Sequence, residues 1–423
     1  MTTISTTPTQ PPPTMTTSNL PPPPSSTSIL TLLTTLSLPP PTTITPLPVS
    51  AAFHTIYLIH YAPSAAASAT PPIRARADLS DGSITLVLRI SGTQIPRIKT
   101  LNEVGVMTWV RRNTSIPVPA VIAYSASRDN PLGYEFTLLE RVPGVSVAEV
   151  YESLDEGRKR RLVEQVAGFV TELHGKPWEG GYVGGLQLAA HCGDDGDEIV
   201  RGPPIEETYW QTQDVETYWA GMGETLETLN PFKSDGYASY TEYNVACVER
   251  YIHAISTHPS LSTHRDLIPR LEQFISVIGS DDKLNDVPYV LAHKDLHFAN
   301  IMCDPSSPEC PITGILDWEF ASVVPAPRWN PVRAFLWNYR YGVEDKAERD
   351  RLEGVFEEVC KSRGQGWVLE GMKLSERQEG MQRVVNHVRA IVEVGVKGTG
   401  EEREGKLRGW RGVVEEGLRL FNV

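Results

Sequence analysis

The sequence predicts an α+β fold of two lobes, in which a small, mainly antiparallel β lobe with one key helix precedes a large, mainly helical lobe. Three strand-like runs surround a single helical repeat between residues 53 and 140, whereas helical periodicity dominates beyond residue 145. A chain of 423 residues is long enough for two or three lobes with a sizeable core. We therefore expect a first lobe at residues 49–142 and a second at residues 143–423.

The segment before the first lobe, residues 1–48, begins with 28 positions that are mostly Thr, Pro and Ser. Such a composition cannot bury enough apolar surface to offset the entropy of ordering. The segment also lacks the basic start of a signal peptide and the arginines of a mitochondrial presequence. We predict that residues 1–48 are disordered, with apolar spacing at residues 29–38 that would suit a short helix, and that the protein is cytoplasmic.

The elements of the first lobe follow from local patterns. Phe53–Tyr61, Ser83–Ile90 and Tyr134–Glu140 are rich in β-branched, aromatic and other apolar residues, which predicts three strands. The segment Lys99–Arg112 instead repeats apolar residues at helical spacing, which predicts the one helix of this lobe. The order is then strand, strand, helix, strand, followed by a Pro-Gly link at residues 143–144.

The second lobe is expected to be mainly helical. Ser146 and Glu149 have the spacing of a capping box, so a helix should start there and run as one or two pieces to His174. Residues 175–240 are less regular, and their aromatic residues Trp210, Tyr218 and Trp219 suit either a substrate slot or the core. The remaining predicted helical segments are Asn244–Ile278, Ala347–Arg363, Ser375–Val396 and Glu401–Phe421.

Charge is distributed unevenly between the predicted lobes. The formal net charge of −13 argues against a nucleic-acid partner. Residues 1–142 hold 9 Lys/Arg and 6 Asp/Glu, whereas residues 143–423 hold 30 and 46. A slightly basic first lobe suits nucleotide phosphates, and an acidic second lobe would attract a cationic substrate, although acidic surfaces also simply keep proteins soluble.

The cysteine pattern and the hydropathy argue against a zinc-binding, disulfide-bonded or membrane-spanning protein. The five cysteines are scattered and odd in number, and no pair has zinc-ligand spacing with nearby histidines, so we expect reduced thiols. Cys303 and Cys310 lie between two motif strands and could come close. Because no apolar run reaches about 18 residues, we predict no membrane partner.

Two apolar runs each lead to polar residues that could take part in catalysis. Leu291–Met302 contains Asp295 and, five positions later, Asn300; Gly314–Phe320 contains Asp317. Two short strands would thus hold two carboxylates and an amide at one mouth. Mg²⁺ prefers hard oxygen ligands, and an attacking hydroxyl needs a carboxylate to accept its proton. The grouping therefore indicates Mg²⁺-assisted phosphoryl transfer.

His293, Asp295 and Asn300, followed by Asp317, resemble the catalytic loop and metal strand of the aminoglycoside phosphotransferase/choline kinase-like superfamily. The resemblance extends over roughly residues 50–340, is sharp only at these motifs, and is greatest to fungal-type members. Members share the two-lobed protein-kinase-like fold and transfer the γ-phosphoryl group of ATP to small molecules. The resemblance implies that Asp295 is the catalytic base, and that Asn300 and Asp317 hold Mg²⁺.

The same resemblance assigns a nucleotide site to the first lobe. Arg89 stands where the best-known members have a strand lysine that binds the nucleotide phosphates. Glu103 stands where those members have a helix carboxylate that orients this cation. The alternatives are a surface arginine on an edge strand for Arg89 and a solvated helix face for Glu103. The backbone near Glu140 and Val142 would contact adenine.

The phosphate loop is expected at Val49–His54, where Ser50, Ala51, Ala52 and Phe53 stand and glycine is absent. Backbone amides can still cradle phosphate there, but Ser and Ala approach less closely than Gly. This departure, together with Arg89, keeps a non-catalytic nucleotide-binding pseudokinase or scaffold protein as the alternative to an enzyme.

Residues next to the motif have less specific expectations. His293 is expected to hold the catalytic loop by backbone contacts, and His297 to pack. Lys294 would contact a phosphate or, preferably, face solvent. Glu319 would support the metal residue, touch the substrate or have a structural role.

The expected activity is transfer of a phosphoryl group from ATP, with Mg²⁺, to a hydroxyl of a small molecule. Acidity of the second lobe favours an aminoglycoside-, choline- or amino-alcohol-like cation as acceptor. A protein kinase is the less favoured enzyme class, because Trp318 and Glu319 follow Asp317 in place of an Asp-Phe-Gly segment.

Overall fold

The computed structural model describes residues 20–48, 53–67, 73, 75, 81–189, 198–328, 338, 340 and 342–423. Its first lobe is a five-stranded antiparallel sheet with strand order β1-β2-β3-β5-β4. The strands are β1 Thr43–Pro46, β2 His54–Tyr61, β3 Ile84–Ser91, β4 Val121–Ser125 and β5 Phe136–Glu140, and the helices are α1 Ser26–Thr35, α2 Pro63–Ala67 and α3 Ile98–Asn113.

Strand alternation gives this sheet two buried faces. Leu138 packs with the apolar side chains of α1, whereas its neighbour Leu139 packs with those of α3. Successive side chains of a strand point to opposite faces, so the two helices cover opposite sides of the sheet. Arg89 on the central strand β3 is therefore directed to the α3 face, because Leu88 and Ile90 belong to the α1 face.

Two strands of this sheet, β1 and β4, were not predicted. β1 lies within the segment assigned from sequence to the N-terminal tail, yet it pairs with β2 from Thr43 opposite His60 to Pro46 opposite Tyr57. It is an edge strand, where a proline is tolerated because one side of the backbone needs no partner. The lobe boundaries drawn at residues 48 and 142 remain predictions.

Helix α1 is part of the core of the first lobe. The side chains of Ile29, Leu32 and Leu33 are at most 2% exposed, whereas Leu30 on the opposite face is 42% exposed. We expect Leu32→Ala to lower the free energy of unfolding by about 2–5 kcal/mol, because it leaves a cavity under the sheet. Leu30→Ala, the control on the same helix, should change it by less than about 0.5 kcal/mol.

The free energy of unfolding of both variants can be measured by urea denaturation, with circular dichroism as the signal. Equal stability of Leu32→Ala and Leu30→Ala would show that α1 does not pack as described.

The second lobe is mainly helical, with three small antiparallel strand groups. The strand groups are β11-β10-β6 (Ile312–Ile315, Ile301–Cys303, Val145–Ser146), β12-β9 (Ser322–Pro325, Tyr289–Ala292) and β7-β8 (Gly185–Leu188, Ile199–Gly202). The helices are α4 Val147–Val150, α5 Glu156–His174, α6 Thr212–Tyr218, α7 Leu226–Leu229, α8 Tyr240–Thr257, α9 Ile268–Gly279, α10 Val343–Ser362, α11 Gly366–Gly371, α12 Glu376–Val396 and α13 Glu401–Arg419. The predicted α+β fold with a β lobe and a helical lobe is confirmed.

Local signals explain several of these elements. The Ser146 side chain accepts the Ala148 amide and so caps α4, and α5 begins anew after Asp155, which accepts the Arg158 amide. The predicted helical stretch from Ser146 is therefore two helices. Trp210 and Trp219 are buried in the large core, which supports the core interpretation for these rings.

Two remaining expectations concern thiols and membranes. Cys303 and Cys310 are both buried and interact with each other, and every cysteine in the described ranges is a free thiol, Cys192 falling outside them. Among the described helices, none combines the length and apolar character needed to cross a membrane.

Candidate active site

The β10-β11 hairpin brings Asn300 and Asp317 to one place. Ile301 pairs with Ile315, so the residue before β10 and the residues after β11 lie at the same end of the hairpin. The Leu316 amide donates to the Asn300 carbonyl at 2.9 Å. Both polar side chains therefore emerge at one mouth, as the sequence spacing predicted.

His293 joins Asp295 to this mouth. Its ring is fully buried, and Nε2–H donates to the carbonyl of Leu316 at 2.8 Å, while Nδ1 accepts the Asp295 amide at 3.3 Å. Burial lowers the pKa of His293, so the ring is held neutral with its proton on Nε2. The expected backbone contact of His293 is thus present, and it fixes the spacing between the two motifs.

The Asp295 side chain lies in a small polar group at the surface of the cleft. Asn300 Nδ2 donates to the Asp295 carbonyl at 2.9 Å and to its Oδ2 at 3.3 Å. His297 Nε2 lies 3.5 Å from the same Oδ2, while its Nδ1 accepts the Ala299 amide. The Asp295 side chain is about one-third exposed, so it can reach a bound hydroxyl.

Two positions near the mouth have left-handed backbone geometry without being glycine. Asp317 has φ 64° and Lys294 has φ 70°. Such conformations cost energy for residues with a Cβ, least for Asn and Asp, and they collect at functional sites. The strain turns the Asp317 carboxylate out of the direction of β11 and toward the first lobe.

Arg89 links the two lobes at this point. Its guanidinium donates to Glu103 through Nη1 and to Asp317 Oδ1 at 2.8 Å through Nη2. Both Arg89 and Glu103 are buried, which excludes the surface interpretations of the two residues. Burial alone would lower the pKa of Arg89, but Glu103, Asp317 and Glu319 raise it, so the guanidinium stays charged.

A second buried ion pair was missed from the sequence. Lys99 Nζ lies 3.0 Å from Glu319 Oε2, and both side chains are only 2% exposed. Burial raises the pKa of Glu319 to about 7, with the Lys99 charge opposing the rise. The sequence signalled only the direction of Lys99, because Lys99 and Glu103 are four residues apart and so share one face of α3.

The expectation that Lys294 faces solvent is wrong. Its Nζ contacts Glu206 Oε2 at 2.9 Å, the Ile205 carbonyl at 2.5 Å and Ser322 Oγ at 2.9 Å. The positive φ of Lys294 directs its side chain into the second lobe. Lys294 therefore anchors the loop that carries Asp295 to the segment at residues 205–206.

Glu207 adds a third carboxylate near the mouth. It is exposed and follows the anchored Glu206, in a turn where the Tyr209 amide donates to the Glu206 carbonyl. Partial desolvation, and then the charges of Asp295 and Asp317, raise the pKa of Glu207. The Glu207 carboxylate is therefore within electrostatic range of both motif aspartates, and the sequence patterns did not single it out.

The nucleotide side of the cleft is described in part. Ser50, Ala51 and Ala52 lie outside the described residues. Phe53 is partly buried, its ring packs edge-on against Phe320 at 5.8 Å, and Lys99 Nζ lies 5.3 Å from its centroid. Phe53 thereby ties the expected loop to the segment after Asp317.

The backbone amides near Glu140 and Val142, part of the predicted adenine contact, differ in whether they are already hydrogen-bonded. The Glu140 amide donates to the Ala120 carbonyl, and the Glu140 carboxylate accepts the Ala120 amide, both at 2.9 Å. The Arg141 amide donates to Thr85 at 3.3 Å. Within the described ranges the Val142 amide has no hydrogen-bond partner, so Val142 is the free donor of this segment.

The donor set fits a magnesium ion held together with a nucleotide. Asn300 uses Nδ2 toward Asp295 and His297, which leaves Oδ1 without a partner among the described residues. Asp317 Oδ1 faces only Arg89 among those residues, and its side chain is 32% exposed. In the described part of the chain no three His, Cys, Asp or Glu side chains group as metal ligands. Mg²⁺ usually takes one or two protein ligands plus phosphate oxygens, which agrees with this sparse set.

Residues 74–326, well over half of the chain, match the family described as "Phosphotransferase enzyme family". The chain belongs to this family. The matched range contains the motif residues Asp295, Asn300 and Asp317. It also contains Arg89, which links the lobes, and its partner Glu103. The resemblance drawn from the motifs is thus confirmed at the level of the family.

Curated relatives are fungal. A subtelomeric hrmA-associated cluster protein of Aspergillus fumigatus is 26% identical over 268 residues, covering 53% of this chain and 50% of the relative. Clavilactone A biosynthesis cluster protein Y of Ampulloclitocybe clavipes is 26% identical over 260 residues, covering 59% and 57%. The chain spans about half the length of the curated relatives it matches.

Solved structures similar to the chain include aminoglycoside phosphotransferases. The ADP-bound aminoglycoside phosphotransferase APH(2'')-Ib is 12% identical with a TM-score of 0.46, covering 93% of this chain and 99% of that one. The streptomycin–ATP complex of APH(2'')-IIa is 13% identical with a TM-score of 0.43, covering 90% and 94%.

Proposed function

We propose that this member of the phosphotransferase enzyme family transfers the γ-phosphoryl group of ATP to a hydroxyl of a small molecule. The observation that carries the proposal is the convergence of Asp295, Asn300 and Asp317 at one mouth, facing a charged arginine from the other lobe. Transfer of this kind depends mostly on positioning and on electrostatic stabilisation of the phosphates.

The acceptor hydroxyl would bind beside Asp295. The Asp295 carboxylate accepts or orients the hydroxyl proton, and Asn300 Nδ2 holds that carboxylate in place. His293 keeps the loop at its distance from Asp317 through the Leu316 carbonyl. These contacts would hold the loop in the geometry that the acceptor needs.

The phosphates of ATP would lie between Arg89 and Asp317. Asn300 and Asp317 would hold Mg²⁺, which when bound supplies positive charge that neutralises the phosphate oxygens. Arg89, fixed by Glu103, would turn from Asp317 to the non-transferred phosphates. The Val142 amide would donate to adenine.

We further propose that the acceptor is cationic. Glu207 carries a carboxylate in the cleft, where Asp295 and Asp317 are already concentrated, and the second lobe has an excess of acidic residues. A cleft lined by one sign of charge concentrates ligands of the opposite sign. An ammonium group near Glu207 would place a neighbouring hydroxyl beside Asp295. Aminoglycoside-, choline- and amino-alcohol-like compounds have this chemistry.

Glu207→Gln tests the acceptor class. For an aminated hydroxyl compound found by ADP release, we expect KM to rise about tenfold, because one ion pair with the ammonium is lost, while kcat changes little. The increase should shrink at high salt, since the cleft is partly open. Glu401→Gln, at the exposed start of α13, is the control for a change of net charge alone.

An unchanged KM in Glu207→Gln would contradict the cationic subsite but not phosphoryl transfer. Release of ADP only with uncharged or anionic acceptors would contradict the acceptor class as well.

The alternative, a nucleotide-binding scaffold without catalysis, rests on the glycine-free loop. It predicts ATP binding without any acceptor-stimulated release of ADP. The complete set of Asp295, Asn300 and Asp317 opposes it, because a protein without catalysis has no need of the base and both ligands.

A further inference from the structure

The buried pair of Lys99 and Glu319 connects the lobes independently of the arginine pair. Lys99 lies in the first turn of α3, and Glu319 lies two residues after Asp317. Their charged atoms are 3.0 Å apart in surroundings with almost no solvent. A charge pair removed from water in this way is costly to break by removing one partner, since the other remains buried and unpaired.

Glu319 is also the meeting point of three separate elements. His54 Nε2 lies 3.4 Å from Glu319 Oε2, and Arg89 Nη2 lies 4.0 Å from it. His54 is the last residue of the expected phosphate loop and the first of β2, and its Nδ1 faces Arg89 Nη2 at 3.3 Å. Its neighbours assign the proton: Nδ1 accepts from Arg89, so the ring proton lies on Nε2, which faces the Glu319 carboxylate. The loop strand, α3 and the segment after Asp317 are therefore tied at one carboxylate.

Helix α3 also holds the backbone of this segment. Asn102 Nδ2 donates to the carbonyls of Glu319 at 3.0 Å and Ala321 at 2.8 Å, and Asn102 Oδ1 accepts the Leu186 amide at 3.0 Å. Asn102 and Lys99 are three residues apart and share a face of the helix. One face of α3 thus fixes both the side chain and the backbone just beyond Asp317.

We expect the contact between Arg89 and Asp317 to loosen during the proposed reaction. It occupies Oδ1, one of the two Asp317 oxygens that could bind a metal ion, and nucleotide phosphates would attract the same guanidinium. Lys99 does not contact Asp317, so its pair with Glu319 can persist when Arg89 moves. Asp317 has a left-handed φ of 64°, and order in the residues that follow it would keep its backbone in that geometry.

We propose that Lys99 is a positioning residue: through Glu319 it holds Asp317 in the geometry that binds a nucleotide-associated metal, independently of Arg89. The structural half of this inference concerns the order of residues 316–321 and needs no ligand. Only its metal half rests on the proposed function.

The test compares Lys99→Met, Glu319→Gln and the double variant with the full-length protein. Without ligand, we expect faster hydrogen exchange of the backbone amides at residues 316–321 in Lys99→Met, while α9 and α12 exchange as before. By calorimetry, ADP with Mg²⁺ should bind at least about tenfold more weakly, as when a supporting partner of a metal ligand is lost. Binding of ADP without Mg²⁺ should be unchanged, because the proposed role of Lys99 runs through Glu319 and not through a contact with the nucleotide.

The double variant keeps the test informative if Lys99→Met folds poorly. It removes both buried charges, so it should fold better than Lys99→Met. Its binding of ADP with Mg²⁺ should nevertheless be no tighter than that of Lys99→Met. Lys159→Met is the matched control, since Lys159 is a largely buried, ion-paired lysine of the second lobe. It should match the unmodified protein in both measurements.

Unchanged exchange at residues 316–321 and unchanged binding in Lys99→Met would overturn the inference. Equal weakening of ADP binding with and without Mg²⁺ would also overturn it, because Lys99 would then be a direct phosphate contact. Faster exchange at residues 316–321 in a protein that binds no ADP under any condition would support the structural half and contradict the proposed function instead.

Discussion

Replacing Asp317 by Asn should reduce acceptor-dependent ADP release at least about 10³-fold, equivalent to about 4 kcal/mol of transition-state stabilisation. The change removes the charge that would hold Mg²⁺ against the phosphates and that faces Arg89 at 2.8 Å. Asn is preferred to Ala here, because Asp317 has φ 64° and Asn adopts this left-handed conformation with little strain. The fold should survive, since the side chain is 32% exposed.

The matched control is Asp304→Asn at the other end of the same hairpin. Asp304 accepts the Ser306 amide and hydroxyl in a turn and touches none of the motif residues. It should keep the activity of the unmodified protein. A folded Asp317→Asn variant with full activity would remove Asp317 from the proposed metal site.

Asp295→Asn should lower kcat by about 10²–10⁴-fold and leave nucleotide binding nearly unchanged. The substitution keeps the size of the side chain but removes the group that accepts the hydroxyl proton. Asn300 donates to the Asp295 main-chain carbonyl as well as to the carboxylate, so the loop should keep its shape. Steady-state kinetics and calorimetry with ADP and Mg²⁺ separate the two effects.

His293→Gln would be a poor control for this experiment, because His293 also shapes the loop. Ser306→Ala, at the tip of the hairpin, is suitable since its hydroxyl contacts only Asp304. Loss of nucleotide binding in Asp295→Asn equal to its loss of kcat would show that Asp295 acts on the nucleotide rather than on the acceptor.

The motif residues were predictable because their geometry is encoded locally. Asp295 and Asn300 are five residues apart in one loop, and Asp317 follows the strand that pairs with the strand after Asn300. Short-range strand pairing converts such spacing directly into proximity. The helix carrying Glu103 was predicted for a similar reason, since its apolar repeat is contained in one segment.

The features that sequence reasoning missed depend on contacts between distant segments. Lys99 and Glu319 are separated by most of the family match, and nothing near either residue shows the other. Lys294 was expected to face solvent because lone lysines usually do, but its partner Glu206 lies in the irregular segment before α6. Strand β1 was hidden by its Thr and Pro content, which a sheet edge accepts.

Titration of the purified protein with ATP in a calorimeter, with and without Mg²⁺, tests the central claim most directly. A working site with Asn300 and Asp317 as metal ligands predicts binding that is markedly tighter with Mg²⁺ and a heat signal that EDTA abolishes. Absence of binding in both conditions would contradict the account. The glycine-free loop would then mark a protein of phosphotransferase ancestry that acts without nucleotide.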